Sequence, residues 1–393
     1  MSALIGVPLF GSTNHVFSQL NKGLGYITFI STFPKEANMR DGYFRRVHYV
    51  DQAFQDSDRI HLDIRFGKNF RKRIFELEPN MRVMHLNALL HFPLIGSVLR
   101  KSGMIYIHSI AKIPSILLHL MRLNTRVPFA LDLHGVMVEE LKLARRPIIA
   151  RFYSWIEKVC FIHSSLNIYV SEVMQFHFRA KYPAYRGQEV IFATNSNTNS
   201  VPTPNQQPAT SHQQPLREAL NISDNDVVFV YSGNCQPWQN IHLMLNVINK
   251  LTNPRFKFLI LSGQGKRIKR MIRHRGIPDD KIQVISVNPE KLGSYYELAH
   301  YGFILRDDIL VNRVANPTKL AEYLQYGIIP VVKLVNIGDY DRYGYDHISL
   351  DELNNELSQR RSLKNQDIYH EICGKYGVDP LRNAISETIN NSN

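Results

Sequence analysis

The sequence predicts an α/β protein made of two doubly wound domains. Short runs of β-branched and aromatic residues alternate with longer helical patterns, which is typical of repeated βαβ units. Several runs are wholly apolar, as in Phe258–Leu261, and this indicates strands covered on both faces of a parallel sheet. At 393 residues the chain also exceeds what one hydrophobic core usually supports.

The predicted strands form two series separated by a linker. The first series is Tyr26–Ile30, Ile60–Phe66, Arg82–Leu86, Met104–His108, Phe129–His134, Leu166–Val170 and Glu189–Ala193. The second series is Val227–Tyr231, Phe256–Leu261, Ile282–Val287, Gly302–Arg306 and Ile329–Leu334. Between them, residues 194–215 are rich in Asn, Gln, Ser, Thr and Pro and carry no charge, which is a linker composition. We therefore expect domains over residues 1–195 and 216–393 and a linker over 196–215, with the option that the C-terminal helix packs back on the first domain.

The net charge of +13 is concentrated in the first half of the chain. Residues 1–195 carry 25 Lys and Arg against 14 Asp and Glu, whereas the rest carries 22 against 20. This asymmetry indicates an anionic partner for the first domain, such as nucleic acid, phospholipid or a phosphorylated substrate. A generally basic, solvated surface is the alternative.

The spacing of the cysteines and the length of the apolar runs indicate the cellular compartment in which the protein is expected. Cys160, Cys235 and Cys373 are far apart and outline neither a disulfide framework nor a zinc site, which fits a reducing compartment. The first ten residues lack a basic stretch before their apolar residues, and no run of about 18 apolar residues occurs. We expect a cytoplasmic protein that is soluble or peripheral at the inner face of the cytoplasmic membrane.

Polar residues follow the predicted strands at the edge where open α/β sheets bind ligands, beyond the carboxyl ends of the strands. They are Ser109, His134-Gly135, Ser232-Gly233-Asn234, Ser262-Gly263-Gln264-Gly265 and Arg306. The stretch around Gly263 is too short for a dinucleotide fingerprint, and we expect it to form a tight turn near a nucleotide base.

The stretch after Arg306 predicts a helix at this edge. A strand is expected to end at Arg306, and the helix to begin with Asn316 as N-cap and Pro317 at its first position. Gly327 marks the end of the helix, just before another strand.

The start of this helix has the composition of an anion site. The N–H groups of Thr318 and Lys319 and the helix dipole attract negative charge, and the side chains of Lys319 and Arg306 add to it. Glu322 lies four residues after Thr318 on the same face, where it can accept hydrogen bonds from vicinal ribose hydroxyls. A well-capped helix with Glu322 in solvent is the alternative.

Four segments resemble motifs of the GT-B glycosyltransferases of the large retaining family four. In chain order, they are similar to its first-domain histidine motif, the strand end after it, the glycine loop that opens its second domain, and its donor-site signature. The matching segments are Leu131–Gly135 with Glu139-Glu140, Val170–Glu172, Tyr231–Asn234 with Trp238–Ile241, and Arg306–Asp308 with Asn316–Val332. The resemblance implies two Rossmann-like domains facing a cleft.

The resemblance also implies roles for individual residues. Glu322 is similar to the second glutamate of the family's E-x7-E motif and would hold the donor ribose. Val314 stands where the first glutamate is expected, and Asn234 and Gln239 stand where the glycine-loop side of the family has an arginine and a lysine. Positive charge for the diphosphate is then expected from the helix start and from the catalytic residues Arg306 and Lys319. The donor-binding residues are expected to be Asn316, Thr318, Glu322, Gly233, Asn234 and Gly263.

In the first domain, the resemblance places His134 opposite the donor sugar, where it would position the sugar and stabilise developing charge. A structural histidine is the alternative for His134. Glu139 and Glu140 would orient or deprotonate an acceptor hydroxyl, and an acidic, solvated helix start is the alternative for both.

We expect no metal and no other cofactor. Asp56-Ser57-Asp58 and Asp339-Tyr340-Asp341 match the short D-x-D pattern of metal-dependent glycosyltransferases with the other fold, but three-residue patterns often arise by chance. A helix start with Arg306 and Lys319 would instead stabilise the leaving diphosphate.

The function expected is sugar transfer from a nucleoside-diphosphate sugar to a hydroxyl of a glycan or lipid-linked glycan acceptor, with retention, in surface-polysaccharide synthesis. A sugar-nucleotide-binding pseudoenzyme is one alternative, because Val314, Asn234 and Gln239 depart from the family's pattern. A basic nucleic-acid-binding protein is another, but the sequence shows no known module and no interleaving of aromatic and basic residues. We therefore expect no nucleic-acid partner.

A second partner, an anionic membrane surface, is expected from the segment Gly67–Leu77. If it is helical, Phe66, Phe70 and Ile74 share one face, surrounded by cations. The cations are Arg65, Lys68, Arg71, Lys72 and Arg73. The alternative is an ordinary helix that buries this stripe in the core.

Overall fold

The structure, a computed structural model, describes residues 26–35, 38–39, 41–123, 127–193 and 210–392. Contacts divide the chain into two compact units. The first comprises residues 1–170, 174–194 and 378–393, and the second comprises residues 171–173 and 195–377. Of the stretch predicted as linker, residues 196–209 lie outside the described part. The rest is not linker but the start of a helix, Thr210–Ala219, because glutamines 213 and 214 favour a helix that continues into Leu216.

The first unit contains one sheet of eight strands. These are β1 (Tyr26–Ile30), β2 (Arg59–Arg65), β3 (Arg73–Glu78), β4 (Met81–Asn87), β5 (Ser102–His108), β6 (Phe129–Asp132), β7 (Leu166–Tyr169) and β8 (Gln188–Ile191). Between them lie α1 (Gly42–Ala53), α2 (Phe92–Arg100), α3 (Leu117–Leu123), α4 (Met137–Leu143), α5 (Pro147–His163) and α6 (Glu172–Lys181). The strand order is β3-β4-β2-β1-β5-β6-β7-β8, and all neighbouring pairs are parallel except β3 with β4.

The second unit contains one parallel sheet of six strands. These are β9 (Val227–Ser232), β10 (Phe256–Leu261), β11 (Ile282–Ile285), β12 (Tyr301–Ile304), β13 (Ile329–Val332) and β14 (Ile348–Ser349), in the order β11-β10-β9-β12-β13-β14. The helices are α7 (Thr210–Ala219), α8 (Ile241–Lys250), α9 (Gly265–Arg273), α10 (Leu292–Tyr296), α11 (Leu310–Arg313), α12 (Thr318–Gln325) and α13 (Leu363–Tyr376). β9 is buried along its whole length, as expected for a central strand covered on both faces.

Both sheets have a point at which the strand order reverses. Starting from β1, or from β9, the chain adds strands on one side of the first strand and then returns to add strands on its other side. This is the doubly wound Rossmann order, in which ligands bind beyond the carboxyl ends of the two strands flanking the reversal. The prediction of two doubly wound α/β domains is confirmed. Ligand-binding residues are therefore expected after β1 and β5 in the first unit and after β9 and β12 in the second.

The prediction of a helix over Gly67–Leu77 is wrong. β3 occupies part of this segment and pairs antiparallel with β4, with Phe75 opposite Val83. The two residues Pro79-Asn80 connect the strands, so a tight hairpin and its cross-strand contacts override the four-residue spacing of apolar residues. Phe75 also packs edge-on against His85 of β4. The apolar stripe predicted for one helix face therefore does not exist.

The last helix, α14 (Val378–Asn390), belongs to the first unit. Leu381 and Ile385 are buried in the same core as Ile27 of β1 and Val50 of α1. Thr388 Oγ1 lies 2.5 Å from Gln188 Oε1 at the start of β8. None of the helices in the described ranges is long and apolar enough to span a bilayer.

Candidate functional site

In the second unit, the loops after β9, β10 and β12 are held close together by hydrogen bonds. Asn240 Nδ2 donates to the carbonyl of Leu305, which directly follows β12, at 2.8 Å. Gln264 Oε1, after β10, accepts from the N–H of Cys235 at 2.6 Å. Gly263 is exposed beside it. These loops form the carboxyl edge of the sheet, where the sequence predicts the donor site.

Lys319, in the first turn of α12, lies against the end of β9. Its Nζ donates to Gln239 Oε1 at 2.9 Å and to the Tyr231 hydroxyl at 3.3 Å, and lies 4.5 Å from the centre of the Tyr231 ring. Gly233 has φ +144°, and a Cβ there would lie 2.3 Å from Nζ. Only glycine combines this backbone conformation with so close an approach of the lysine. The ammonium is thus fixed beside the glycine loop.

Arg306 lies at the same edge of the sheet, and its charge is not paired with a carboxylate in the described ranges. Its Nη1 donates to Asn312 Oδ1 at 3.4 Å, and within the described ranges it makes no ion pair. Burial lowers the pKa of the guanidinium to about 10, which leaves it charged at neutral pH. The nearby Tyr231 raises the pKa of Arg306, but by less than burial lowers it. A desolvated cation without a carboxylate partner favours binding of an anion.

The helix that carries Lys319 begins one residue later than the sequence predicts. Pro317, not Asn316, is the N-cap, in an extended conformation and without a capping side chain. Asn316 is engaged elsewhere, because its Oδ1 accepts from the Tyr340 hydroxyl at 2.6 Å. The N-cap prediction is therefore wrong, whereas Gly327 ends the helix at φ +65° as predicted. Thr318 is the first helical residue, partly buried.

Glu322 is held against the end of β9 rather than in open solvent. Its Oε2 accepts from the Tyr296 hydroxyl at 2.7 Å, and this hydroxyl also lies 2.7 Å from Ser232 Oγ. Tyr296 is fully buried, so the carboxylate position is fixed from inside the unit. The solvent-facing alternative is therefore wrong, and the ligand-binding role of Glu322 stays a prediction.

Two of the departures from the family's pattern have a structural explanation. Val314 is buried, and its carbonyl accepts from Ser171 Oγ at 2.7 Å, so this position serves packing. The carbonyl of Asn234 accepts from the Tyr231 hydroxyl at 2.7 Å, and its side chain is exposed. Neither residue adds positive charge, so the charge at this edge comes from other residues, among them Arg306 and Lys319.

In the first unit, the site after β6 is centred on a buried carboxylate. Asp132 accepts from Arg46 Nε at 2.9 Å and Nη2 at 2.6 Å, from the Tyr106 hydroxyl at 2.9 Å, and lies 3.1 Å from His134 Nε2. Burial alone would raise the pKa of Asp132, but Arg46 and His134 lower it well below its usual range. Asp132 thus orients the partly exposed His134.

One group of residues in the described ranges has a geometry compatible with a metal ion. The candidate ligand atoms of His108, Asp132 and His134 lie within 4.8 Å of one another. However, Arg46 already neutralises the carboxylate, and a divalent cation would add a second positive charge beside a buried guanidinium. Burial lowers the pKa of His108 to about 4, so this histidine is neutral. Asp132 and His134 belong to a hydrogen-bonded network, whereas both ring nitrogens of His108 are buried without a hydrogen-bond partner within the described ranges.

The predicted acceptor residues differ in their surroundings. Glu139 Oε1 lies 2.7 Å from Lys181 Nζ, and the hydrogen bonds from His177 and Lys181 outweigh burial and lower its pKa to about 2. Glu140 has a raised pKa because of burial and of the nearby Glu139. A Cβ on Gly135 would lie 2.6 Å from Glu140 Oε1, so this carboxylate lies next to the histidine loop. The pKa shifts make Glu140 the more basic of the two carboxylates.

The D-x-D pattern at Asp339 has a structural role. Its carboxylate accepts from the backbone N–H groups of Glu172 at 2.6 Å and Val173 at 3.0 Å, all within the second unit. The Asp339 carboxylate therefore holds two consecutive backbone N–H groups in place, which is a structural role.

Sequence reasoning missed three residues that shape these edges, namely Arg46, Tyr231 and Tyr296. Arg46 and Tyr296 act on residues 86 and 26 positions away, and the sequence contains no signal for either pairing. Tyr231 directly precedes the predicted glycine loop, and this position could have drawn attention to it.

Comparisons with known proteins support the fold. Anabaena HepE, solved with UDP and glucose, superposes with a TM-score of 0.67 at 14% identity, covering 93% of this chain and 100% of that chain. Sucrose-phosphate synthase from Thermosynechococcus elongatus gives 0.59 at 14% identity, covering 92% and 94%. The UDP-forming α,α-trehalose-phosphate synthase from Burkholderia vietnamiensis gives 0.56 at 9% identity, covering 93% and 98%. No family model matches the sequence, and no curated protein matches it. The chain has the GT-B fold of these glycosyltransferases.

Proposed function

We propose that this protein is a glycosyltransferase that uses a nucleoside-diphosphate sugar, with the donor bound at the carboxyl edge of the second unit. The observation that carries the proposal is the pair of cations at the strand reversal: Arg306, which makes no ion pair within the described ranges, and Lys319, fixed beside Gly233. A diphosphate would supply an anionic partner for Arg306.

The chemistry follows from where charge develops. When the bond between the sugar and the diphosphate breaks, negative charge grows on the leaving phosphate oxygens. Arg306, Lys319 and the N–H groups at the start of α12 are preorganised to stabilise this charge, and they need no metal for it. Glu322, held by Tyr296, would accept hydrogen bonds from the ribose hydroxyls.

A uridine diphosphate sugar is the donor that we propose to test first. HepE has been solved with UDP, with UDP and glucose, and with UDP-glucose. We further propose retention, with the departing phosphate taking the acceptor's proton and no covalent enzyme nucleophile. The acceptor in this proposal is a glycan or lipid-linked glycan of surface-polysaccharide synthesis. His134 and Glu140 keep their predicted roles toward sugar and acceptor.

A sugar-nucleotide-binding protein without transferase activity is the second candidate. Val314, in the place of a glutamate, is buried and accepts a hydrogen bond through its backbone. That position therefore offers no contact to a transferred sugar. Release of free sugar from the bound donor distinguishes the two candidates, because only the enzyme accelerates it.

The test is a titration with UDP by calorimetry, with ADP and GDP alongside. Arg306→Met should weaken UDP binding by about 1.5–3 kcal/mol, roughly 10- to 150-fold, the range for a hydrogen bond to a charged group. Arg313→Met is the matched control, because Arg313 ends the short helix α11 that follows Arg306 but is paired with Asp308. It should change the Kd less than about twofold.

Absence of heat with every nucleoside diphosphate at millimolar concentration would overturn the proposed donor site. Equal losses in the Arg306 and Arg313 variants would show general surface electrostatics instead. Binding of UDP-glucose without hydrolysis or transfer would favour the second candidate.

A further inference from the structure

Helix α5 is apolar on two opposite faces. One face carries Ala150, Ile156, Cys160 and Phe161, which are buried in the first unit. The other carries Ile148, Phe152 and Trp155, spaced four and three residues apart, with 85%, 49% and 49% of their surface exposed. A helix needs one apolar face to fold against its unit, so the second face requires another explanation.

Two further apolar residues next to the turn between α4 and α5 are exposed, Leu143 at the end of α4 and Ile149 in the first turn of α5. Together with Ile148, Phe152 and Trp155 they form what we call the α4–α5 face. The first unit as a whole is rich in such side chains. Of the 16 large apolar side chains that are exposed in the described ranges, 13 lie in the first unit.

Exposed cations outnumber exposed acids around this face, where Glu140 of α4 is the exposed acid nearest in sequence. Between residues 141 and 170 the chain has one acidic residue, Glu157, which is fully buried and paired with Lys181. The same segment exposes five cations, namely Lys142, Arg145, Arg146, Arg151 and Lys158. An apolar surface bordered by positive charge is complementary to the headgroup region of an anionic bilayer.

The turn between α4 and α5 places one of these cations, Arg145, in an unusual backbone conformation. Arg145 has φ +56°, in the left-handed region where glycine is the favoured residue. Its N–H donates to the carbonyl of Lys142 at 3.0 Å, so the turn closes helix α4. A long cation stands here in a conformation that glycine would adopt with less strain, directly beside Arg146 and Ile148.

We propose that the α4–α5 face docks the first unit on an anionic lipid bilayer. Ile148, Phe152 and Trp155 enter the boundary between headgroups and acyl chains. The surrounding cations contact lipid phosphates, with their aliphatic stems along the apolar side chains. The proposal does not depend on the reaction proposed above, and it replaces the helix that the sequence predicted around Phe70.

Helix α9 offers an internal contrast. It also exposes five cations, namely Lys266, Arg267, Lys269, Arg270 and Arg273. Its apolar residues Ile268 and Ile272 are buried, so it has no apolar surface to insert. If charge alone caused membrane attachment, α9 would serve as well as the α4–α5 face.

The first experiment is co-sedimentation of the full chain with phosphatidylcholine vesicles, with and without phosphatidylglycerol. The wild type should bind only the vesicles with phosphatidylglycerol, and increasing salt should weaken the binding. Ile148→Ser with Phe152→Ser and Trp155→Ser should lower the bound fraction by at least about tenfold, while the chain stays folded at the temperature of the assay, which a thermal melt checks. Reversal of Arg146, Arg151 and Lys158 to Glu should do the same. Reversal of Lys266, Lys269 and Arg270 is the matched control and should have less than a twofold effect.

The second experiment uses the two tryptophans of the sequence. Trp155 lies on the proposed face, whereas Trp238 is exposed on the second unit. In the Trp238→Phe variant, vesicles with brominated lipid should quench the remaining fluorescence of Trp155. In the Trp155→Phe variant, the fluorescence of Trp238 should stay unquenched.

Several outcomes would overturn the proposal. They are failure of the wild type to bind anionic vesicles at low salt, an equal effect of the α9 reversal, and quenching of Trp238 in place of Trp155. A wild-type dimer that becomes monomeric in the serine variant would assign the face to a second copy of the chain. UDP binding, measured on the same variants, separates loss of this surface from failure of the proposed donor site.

Discussion

The carboxyl edges of the two sheets differ in how their charges are compensated. At the first edge, Asp132 and Arg46 form a buried ion pair, and His134 lies against it. At the second edge, Lys319 contacts the neutral groups of Gln239 and Tyr231. Arg306 there donates to a neutral asparagine. The first edge pairs a buried carboxylate with a buried cation, whereas at the second edge Arg306 makes no ion pair within the described ranges.

We infer from this difference that the charges of the first edge stabilise the fold, whereas those of the second edge are available to bind a ligand. A buried pair such as Asp132 with Arg46 keeps its shape whether or not a ligand is bound, and it fixes the tilt of His134. A desolvated cation facing neutral groups is costly until an anion arrives. We therefore expect substitutions at the first edge to act on stability, and substitutions at the second edge to act on ligand binding.

The largest effect is expected for the ion pair of the first edge. Arg46→Met would leave Asp132 buried without its cation, and removal of one partner from such a pair typically costs about 3–5 kcal/mol. Arg306→Met should leave the free energy of unfolding unchanged or raise it, because no carboxylate loses its partner. Urea unfolding of both variants checks this contrast. An equal loss of stability in the two variants would remove the distinction between the edges.

A smaller effect is expected for the ribose contact of the second edge. Glu322→Ala should weaken UDP binding by about 1–3 kcal/mol while stability changes little. Calorimetry with UDP and with its 2′,3′-dideoxy analogue sharpens this test. The analogue should bind the wild type more weakly than UDP does, and the substitution should weaken its binding no further. A similar loss for both ligands would mean that Glu322 does not contact the ribose.

The smallest effect that we expect is a loss of stability of the first unit at acidic pH. The pKa of Glu139 in the folded protein is lowered to about 2, below its unfolded value of about 4.3. Its contribution to stability is therefore complete above about pH 4.3, and it is lost as the pH falls toward 2. Glu139→Gln should lower the free energy of unfolding at pH 6 and flatten its pH dependence between 4 and 2. Unfolding curves that keep the wild-type slope would contradict the assigned pKa.

The sequence predicted the sheets well and their side-chain partners poorly. Buried strands can be recognised in a sequence by short apolar runs. All twelve predicted strands therefore correspond to strands of the structure within a few residues. β3 was missed because its apolar residues Ile74 and Phe75 follow several cations at a spacing that also fits a helix. Only pairing with β4 decides between the two, and pairing is not visible in a local pattern.

For the candidate site, the sequence supplied positions but not contacts. The glycine loop and the helix after Arg306 lie at the ends of predicted strands, so their location could be inferred. The pairing of Arg46 with Asp132 joins residues 86 positions apart, and that of Tyr296 with Glu322 joins two helices. Asn316 had the residue type of an N-cap, but the Tyr340 hydroxyl binds its side chain, and this competition is a tertiary effect.

The position of α14 in the first unit has a consequence for the order of folding during synthesis. Leu381 and Ile385 fill a core whose other members precede residue 195. A ribosome adds roughly 5–20 residues per second, so the second unit emerges for about 10–40 s before this helix is available. During that time the nascent first unit exposes the apolar groove that α14 later covers. A chaperone that shields this groove would therefore have its effect on nascent chains rather than on the finished protein.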